Sequence, residues 1–317
     1  MDLAYLEWLQ NIRMSLPPIF EQFFLLISDA LGQILIIPII CLTYWCFDKM
    51  LGKTLLFSIG ISSYANNFIK LLACTYRPWV RSDAIHPTQG ALKGATGYSF
   101  PSGHTQMASN TFGTIAHYMK KAAITIVCAI LIVLTALSRN ILGVHTPQDV
   151  IVGLLIGIST IFIAEPIMRW GEEKEGNDLK LLVATIALCI VTTIIVLVKP
   201  YPTDYDASGN LLVDPVTMQA DYFKTAGLII GVTLGWFLER RYVNFTTPEN
   251  RDIKVMALRV VVCVAIIGVF FAFTHVFLKN IGFNNSARCF LEFFLLVFGG
   301  VYLGPLSYTK IEKLLGW

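Results

Sequence analysis

Three short strings of polar residues carry most of the chemistry that this sequence could perform. Each lies at the edge of an apolar segment, and together they supply three cations, two histidines, one carboxylate and a glycine turn. These groups can hold a phosphate and attack its phosphorus atom with an imidazole nitrogen. In chain order, the strings are Lys70-x6-Arg77-Pro78, Pro101-Ser102-Gly103-His104 and Ser138-Arg139-x5-His145-x3-Asp149.

The cations of the first and third strings are candidates for binding phosphate. Lys70 ends an apolar segment, where a lysine would reach the membrane interface in any case. Arg77 and Arg139 can each hold two oxygens of one phosphate. Because the three strings occur together and in order, we predict that Lys70, Arg77 and Arg139 share one phosphate site.

The second string opens an apolar segment that is predicted to be helical. Free N–H groups and the helix dipole make such a helix start a site for anions. Gly103 would let the backbone approach an oxyanion closely, and Ser102 is a helix N-cap, a donor to phosphate, or both. His104 stands where it could protonate a leaving oxygen.

The third string ends in Thr146-Pro147-Gln148-Asp149, which is typical of a helix start with a capping box. Asp149 therefore has a structural role available to it. It also lies close enough to His145 to accept the N–H of its ring, which would leave the other ring nitrogen free to attack phosphorus. The charges of Arg77 and Arg139 should keep His145 neutral.

The elements that position these residues are predicted to be membrane helices. Of 317 residues, 55% are hydrophobic and 14% are charged, and the mean hydropathy is +0.65. A soluble domain carries about 25% charged residues, so the composition indicates a polytopic membrane protein. The net charge of +3 without a basic run argues against a nucleic-acid partner. Apolar segments cover roughly 17–29, 32–47, 53–73, 103–119, 122–138, 147–170, 179–198, 222–238, 255–278 and 287–306.

Backbone groups in a bilayer must be satisfied within each segment, so we expect an all-α bundle of about nine or ten transmembrane helices. Segment 17–29 is short, and whether it spans stays open. The polar run 171–178 divides the chain into a six-helix core at 1–170, which begins with an amphipathic interfacial helix, and four additional helices at 179–317. These later helices are candidates for a homodimer interface, a lipid gate or a second pathway. The distribution of Lys and Arg places the three strings on the extracytoplasmic face.

The three strings match every signature position of the type 2 phosphatidic acid phosphatase superfamily, and the match covers roughly residues 47–170. The overall layout is similar to the branch that contains sphingosine-1-phosphate phosphatases and their bacterial relatives. The resemblance implies a metal-independent phosphatase without a cofactor. It implies that His145 forms a phosphohistidine, that Asp149 orients it and that His104 protonates the leaving group. The groups that would hold the phosphoryl oxygens are Lys70, Arg77, Ser102, Gly103 and Arg139.

The expected substrate is a lipid phosphate or a polyprenyl diphosphate, because the strings lie at the membrane–water boundary. A diphosphate needs further contacts, for which Arg81, His86 and Lys93 are candidates. A phosphotransferase that passes the phosphoryl group to a lipid or sugar hydroxyl would use the same residues. A transporter of anions or lipids is a third reading, although it has no use for a His145–Asp149 pair. We expect the protein in a bacterial cytoplasmic membrane.

Overall fold

The computed structural model describes residues 2–248 and 251–317, and the regular secondary structure in these ranges is helical apart from one isolated bridge between Tyr205 and Leu211. This confirms the predicted all-α class. The α-helices are α1 (Asp2–Ser15), α2 (Pro18–Asp29), α3 (Ile36–Leu42), α4 (Lys49–Ala73), α5 (Pro78–Arg81), α6 (Gly103–Met119), α7 (Ala122–Ile141), α8 (Pro147–Glu173), α9 (Asn177–Val198), α10 (Pro215–Tyr242), α11 (Ile253–Phe271), α12 (Asn285–Phe298) and α13 (Gly304–Leu315).

Six helical runs in the described ranges are long and apolar enough to cross a membrane, which supports a polytopic membrane protein. The nine or ten transmembrane helices predicted from the sequence outnumber these six runs. The difference lies partly in α4, α6 and α10, which are less apolar on average. The six runs are Pro18–Phe47, Ala122–Ile141, Pro147–Glu173, Asn177–Val198, Ile253–Leu278 and Asn285–Leu315.

The first of these runs also settles the short segment 17–29. It is the beginning of a continuous run of 30 residues, Pro18–Phe47, rather than a span of its own. Two π-helical stretches, Ala30–Ile34 and Thr43–Phe47, lie within this run. The predicted N-terminal helix is present as α1, and it buries Leu6, Gln10 and Arg13.

The chain forms two compact units, each made of pieces that are distant in sequence. Unit 1 comprises residues up to Ile37, Ala65–Ile163 and Val198–Met218, and it contains all three polar strings. Part of its core is a cluster of Ala91, Ala95, Leu142 and Val144, against which Phe24, Leu25 and Trp79 pack. The predicted division of the sequence at 171–178 stays a prediction. These residues form the end of α8, a short turn and the beginning of α9.

Unit 2 comprises Pro38–Tyr64, Ala164–Leu197 and Gln219–Trp317. Its core contains Tyr44, Trp45, Phe57, Trp236 and Tyr308, and a bidentate Arg259–Glu312 ion pair with N–O distances of 2.6 and 3.0 Å is buried beside it. Glycines spaced four residues apart let two of its helices approach closely. A Cβ on Gly227 or Gly231 would collide with backbone oxygens of Phe290 or Phe294 on α12.

Glycines spaced four residues apart also let α8 pack closely against α6 in unit 1. A Cβ on Gly153 would lie 2.6 Å from the carbonyl oxygen of Ser102, and one on Gly157 would lie 2.6 Å from that of Gln106. Asn110 reinforces the crossing, because its Nδ2 donates to the carbonyl oxygen of Gly157 at 3.2 Å. The start of α6 and the start of α8 are therefore held together, and these are the two helix starts that carry polar strings.

We predict that Gly157→Ala lowers the unfolding temperature in detergent by several degrees, since overpacking costs about 1–3 kcal/mol. Thermal unfolding of the purified protein measures this effect. Gly268→Ala is the matched control, because a Cβ there meets nothing within 4 Å, and it should leave stability unchanged or slightly raised. Equal unfolding temperatures for the two variants would contradict the close crossing.

Candidate active site

The five residues between α7 and α8 place Arg139 and His145 side by side. At the end of α7, the N–H of Gly143 donates to the carbonyl of Asn140 at 3.0 Å, and that of Val144 donates to the carbonyl of Arg139 at 3.2 Å. This is a Schellman turn, and Gly143 has the positive φ of +73° that it requires. The N–H of His145 then also reaches the carbonyl of Arg139, at 3.3 Å.

The capping box predicted at Thr146 is present. The N–H of Thr146 donates to Asp149 Oδ2 at 2.8 Å, and the N–H of Asp149 points to Thr146 Oγ1 at 3.4 Å. Asp149 therefore fixes the start of α8. The same Oδ2 atom lies 3.4 Å from Nδ1 of His145. The position of Asp149 is therefore compatible with both roles, capping α8 and contacting the His145 ring.

The hydrogen bonds of His145 fix its tautomer. Nε2 lies 2.9 Å from Nη1 of Arg77, and a guanidinium can only donate, so Nε2 must be the acceptor. The ring proton is then on Nδ1, which faces Asp149. Burial lowers the pKa of His145 well below 6.5, and the charges of Arg77, Arg139 and Lys70 lower it further. His145 is thus a neutral imidazole whose Nε2 lone pair points at a cation.

Ser99, which the sequence analysis did not single out, completes the surroundings of Asp149. Its hydroxyl donates to Asp149 Oδ2 at 2.6 Å and lies 3.4 Å from Nδ1 of His145. All three side chains are buried. The signal in the sequence is only a serine two residues before Pro101, which is not distinctive by itself.

Two of the three predicted phosphate cations are held by backbone carbonyls. Arg77 donates to the carbonyls of Thr96, Gly97 and Val144 at 2.9–3.1 Å, and burial lowers its pKa to about 10 while Asp149 opposes that change. Lys70 Nζ donates to the carbonyls of Tyr98 and Ser99 at 2.9 and 3.3 Å. The loop 74–102 thereby holds both cations beside His145.

Arg139 is the third cation, and its hydrogen bonding is incomplete. Nη1 donates to the hydroxyl of Ser28, whereas Nε and Nη2 are buried without a partner among the described residues. Nε2 of His104 is also buried without a partner in the same part of the chain. Buried polar groups are normally hydrogen-bonded. Orphaned donors beside three cations are what an oxyanion would satisfy, and both Arg139 and His104 interact electrostatically with His145.

The second string behaves differently from a simple N-cap. The Ser102 side chain makes no capping bond and instead lies 3.0 Å from the hydroxyl of Thr105. The N–H of Ser102 donates to the carbonyl of Asp149 at 2.9 Å, which ties the second string to the third. The first N–H groups of α6 follow at Gly103 and His104, where an anion would meet the positive end of the helix.

Two glycines that the sequence analysis did not select lie against His104. A Cβ on Gly32, in the π-helical stretch Ala30–Ile34, would lie 2.6 Å from Cδ2 of His104. A Cβ on Gly94, at the end of the 3₁₀-helix Gln89–Gly94, would lie 3.2 Å from its Cε1. The ring is therefore packed against glycine backbone at two positions, which restricts its orientation.

The three residues proposed for additional substrate contacts are less clearly placed. Arg81 pairs with Asp2 of α1 at 2.9 Å. The side chains of His86 and Lys93 are exposed. Lys93 is next to Gly94 in the chain, and His86 binds through its backbone to Gln10 of α1. A role in substrate binding stays a prediction for all three.

The N-terminal helix α1 and the segment 198–218 both hold the loop 74–102. Arg13 of α1 is buried and donates to Thr88 Oγ1 at 2.9 Å, to the carbonyl of Ile141 at 3.1 Å and to the carbonyl of His86. From the segment 198–218, Asp204 accepts a hydrogen bond from the hydroxyl of Tyr76 at 2.7 Å. Residues distant from the three strings thus support the loop that positions Arg77.

Comparison with known proteins is consistent with this geometry. The family model described as "PAP2 superfamily" matches residues 52–173, and the model described as "PAP2 superfamily phosphatase, transmembrane extension" matches residues 223–314. The three strings lie within the first match. No solved structure matches the chain significantly.

Two curated proteins are similar over part of the chain. Phosphatidylglycerophosphatase B of Bacillus subtilis (strain 168) is 28% identical over 105 residues, which cover 30% of this chain and 51% of that protein. Undecaprenyl-diphosphatase of Sulfolobus acidocaldarius is 32% identical over 127 residues, which cover 40% of this chain and 60% of that protein. The chain therefore matches between half and three fifths of each relative.

We predict that the imidazole of His145 stays neutral, with its proton on Nδ1, as the pH falls through 6.5, because its pKa lies well below that value. Nitrogen NMR of the protein labelled with ¹⁵N-histidine measures the tautomer and the titration. The chain has five histidines, and His145→Ala identifies the resonance. A resonance that becomes cationic with a midpoint at or above 6.5, or one that carries its proton on Nε2, would contradict the observed hydrogen bonding.

Proposed function

Since the chain belongs to the PAP2 superfamily, the type 2 phosphatidic acid phosphatases, we propose that it is an integral-membrane phosphohydrolase. It removes a phosphate group from a lipid phosphate or a polyprenyl diphosphate through a phosphohistidine at His145. The observation that carries this proposal is the set of buried, unpartnered nitrogen atoms on Arg139 and His104, next to a neutral histidine that three cations surround.

The substrate phosphate occupies the space that these donors face. Its oxygens accept hydrogen bonds from Nε and Nη2 of Arg139 and from the N–H groups at the start of α6, with Lys70 and Arg77 adding charge. To bind His145, the phosphorus must displace Nη1 of Arg77 from Nε2, and a phosphoryl oxygen takes over that donor. Nη1 of Arg77 thus donates to Nε2 of His145 in the resting state and to a phosphoryl oxygen in the transition state.

In the first chemical step, Nε2 of His145 attacks phosphorus and the bond from phosphorus to the leaving oxygen breaks. His104 donates a proton to that oxygen, so a lipid phosphate releases its alcohol, and a polyprenyl diphosphate releases the polyprenyl monophosphate with its former bridging oxygen protonated. Before this step, the negatively charged phosphate of the bound substrate stabilises the protonated form of the His104 ring. The developing positive charge on the His145 ring is stabilised by Asp149 through Nδ1–H.

In the second step, water attacks the phosphohistidine. His104, now neutral, accepts a proton from that water, and the bond from phosphorus to Nε2 breaks. Inorganic phosphate leaves, and His145 returns to its neutral form. The residues of the site supply nucleophile, acid, base and oxyanion donors, so we expect turnover to need no metal.

A lipid substrate is favoured because the site belongs to a chain with six candidate spans. The headgroup enters the cation pocket while the tail stays in the bilayer. The names of the similar proteins suggest phosphatidylglycerol phosphate and undecaprenyl diphosphate as first substrates to test. We place the site on the extracytoplasmic face, from the excess of Lys and Arg in the opposite loops. The proposed setting is a bacterial cytoplasmic membrane, with 179–317 as additional membrane helices that offer a homodimer interface.

We predict that purified protein in detergent releases phosphate from at least one of these lipids with EDTA present. We also predict that His145→Ala reduces the rate by roughly 10³-fold or more, because the variant has no nucleophile. A phosphate-release assay over phosphatidate, phosphatidylglycerol phosphate, sphingosine-1-phosphate and undecaprenyl diphosphate measures both effects.

His117→Ala is the matched control. His117 lies on α6 as His104 does, but its ring stacks edge-on against Phe162, and we expect near-normal activity from the variant. Undiminished phosphate release by His145→Ala would refute the phosphohistidine route, and strict dependence on added magnesium would refute the metal-independent reaction.

A further inference from the structure

We infer that Ser99 is a positioning residue that sets the direction of the His145 ring through Asp149. This inference rests on the proposed function, because it concerns how the nucleophile is held. The Ser99 hydroxyl is hydrogen-bonded to Asp149 and lies near the His145 ring, so its side chain would act on the nucleophile rather than on the substrate phosphate.

Asp149 alone holds the His145 ring only weakly. The distance from Nδ1 to Oδ2 is 3.4 Å, which is long for a charge-assisted hydrogen bond. Nδ1 lies equally far, at 3.4 Å, from the Ser99 hydroxyl oxygen. The ring N–H therefore faces the Asp149 carboxylate and the Ser99 hydroxyl, and it also interacts with the backbone carbonyl of Ser99. Because Ser99 also donates to Oδ2 at 2.6 Å, its single proton is committed to Asp149 and its oxygen lone pairs face the histidine.

The backbone of Ser99 anchors this side chain to the other strings. Its N–H donates to the carbonyl of Thr75 at 2.7 Å, and its carbonyl accepts from Lys70 Nζ at 3.3 Å. Ser99 is fully buried. The residue therefore connects the phosphate cation Lys70 with the His145–Asp149 pair, and its position is fixed independently of the ring that it orients.

Ser99 would affect the first chemical step through the His145 ring. Nε2 attacks phosphorus while Nδ1 keeps its proton, and the ring becomes positively charged. The hydroxyl of Ser99 stabilises that charge as an acceptor and aligns Oδ2 as a donor. No proton is transferred to or from Ser99, so its loss should slow phosphorylation without preventing substrate from binding.

The test is rapid acid quenching of the full-length protein with a radiolabelled lipid phosphate that the wild type hydrolyses. We expect Ser99→Ala to slow formation of phosphoenzyme by about 10- to 100-fold, the range for lost hydrogen bonds to charged groups. KM and the unfolding temperature should stay near wild-type values, with KM changing by less than about twofold. Ser109→Ala is the matched control, since Ser109 is equally buried and its hydroxyl donates only to the carbonyl of Gln106.

A second comparison separates positioning from simple packing. If Ser99 acts in part through Asp149, Ser99→Ala should slow phosphorylation less in an Asp149→Ala background than in the wild type. The inference is overturned if Ser99→Ala phosphorylates as fast as Ser109→Ala, if its defect lies in KM or in thermal stability, or if the two substitutions are fully additive. An active wild type without trapped phosphoenzyme would instead count against the proposed phosphohistidine, so the two failures are distinguishable.

Discussion

The burial of Lys70, Arg77 and Arg139 around one histidine is the constraint on which the rest of unit 1 depends. Taking three cations out of water is costly unless their charge and their donors are satisfied. The chain meets much of this demand with backbone carbonyls, which accept from both Lys70 and Arg77. Two donors of Arg139 have no partner among the described residues. In the proposed function, a bound phosphoryl group completes the set.

The fold meets this demand by bringing together pieces that are far apart in sequence. The Schellman turn at Gly143 and the capping box at Thr146 are local devices, and they set Arg139, His145 and Asp149 within one short connection. The crossing of α6 and α8 at glycines then brings the second string to the third. The loop 74–102 supplies carbonyls from one side, and α1 holds that loop through Arg13. Each device is ordinary, and the site results from their combination.

Much of this was predictable because the signals are local. The capping box at Thr146–Asp149 is contiguous in sequence, and the apolar segments indicate helices by length and hydropathy alone. The four-residue spacing of His145 and Asp149 predicts a contact between the two side chains, and Nδ1 lies 3.4 Å from Oδ2 in the structure. The roles of Ser99, Gly32 and Gly94 were not. Their contacts depend on tertiary packing, since a lone serine or glycine has no distinctive local pattern.

The six candidate runs are fewer than the nine or ten predicted spans partly because two predicted segments join into one run. Segments 17–29 and 32–47 meet at Ser28-Asp29-Ala30-Leu31-Gly32-Gln33, where polar and small residues interrupt the apolar pattern, but the backbone continues through them as one helical run with a π-helical stretch at Ala30–Ile34. Hydropathy cannot distinguish a turn from a π-helix. That stretch is also where Gly32 meets His104, so the irregularity that obscured the topology lies at the proposed acid.

The most direct test of the central claim is an experimental structure of the protein with orthovanadate, which mimics a phosphoryl group in transit. We predict vanadium bound to Nε2 of His145, with vanadate oxygens within hydrogen-bond distance of Nε and Nη2 of Arg139, and Nη1 of Arg77 moved from the ring to an oxygen. Vanadate bound elsewhere, or an Arg139 whose two donors stay unpartnered with vanadate present, would contradict it.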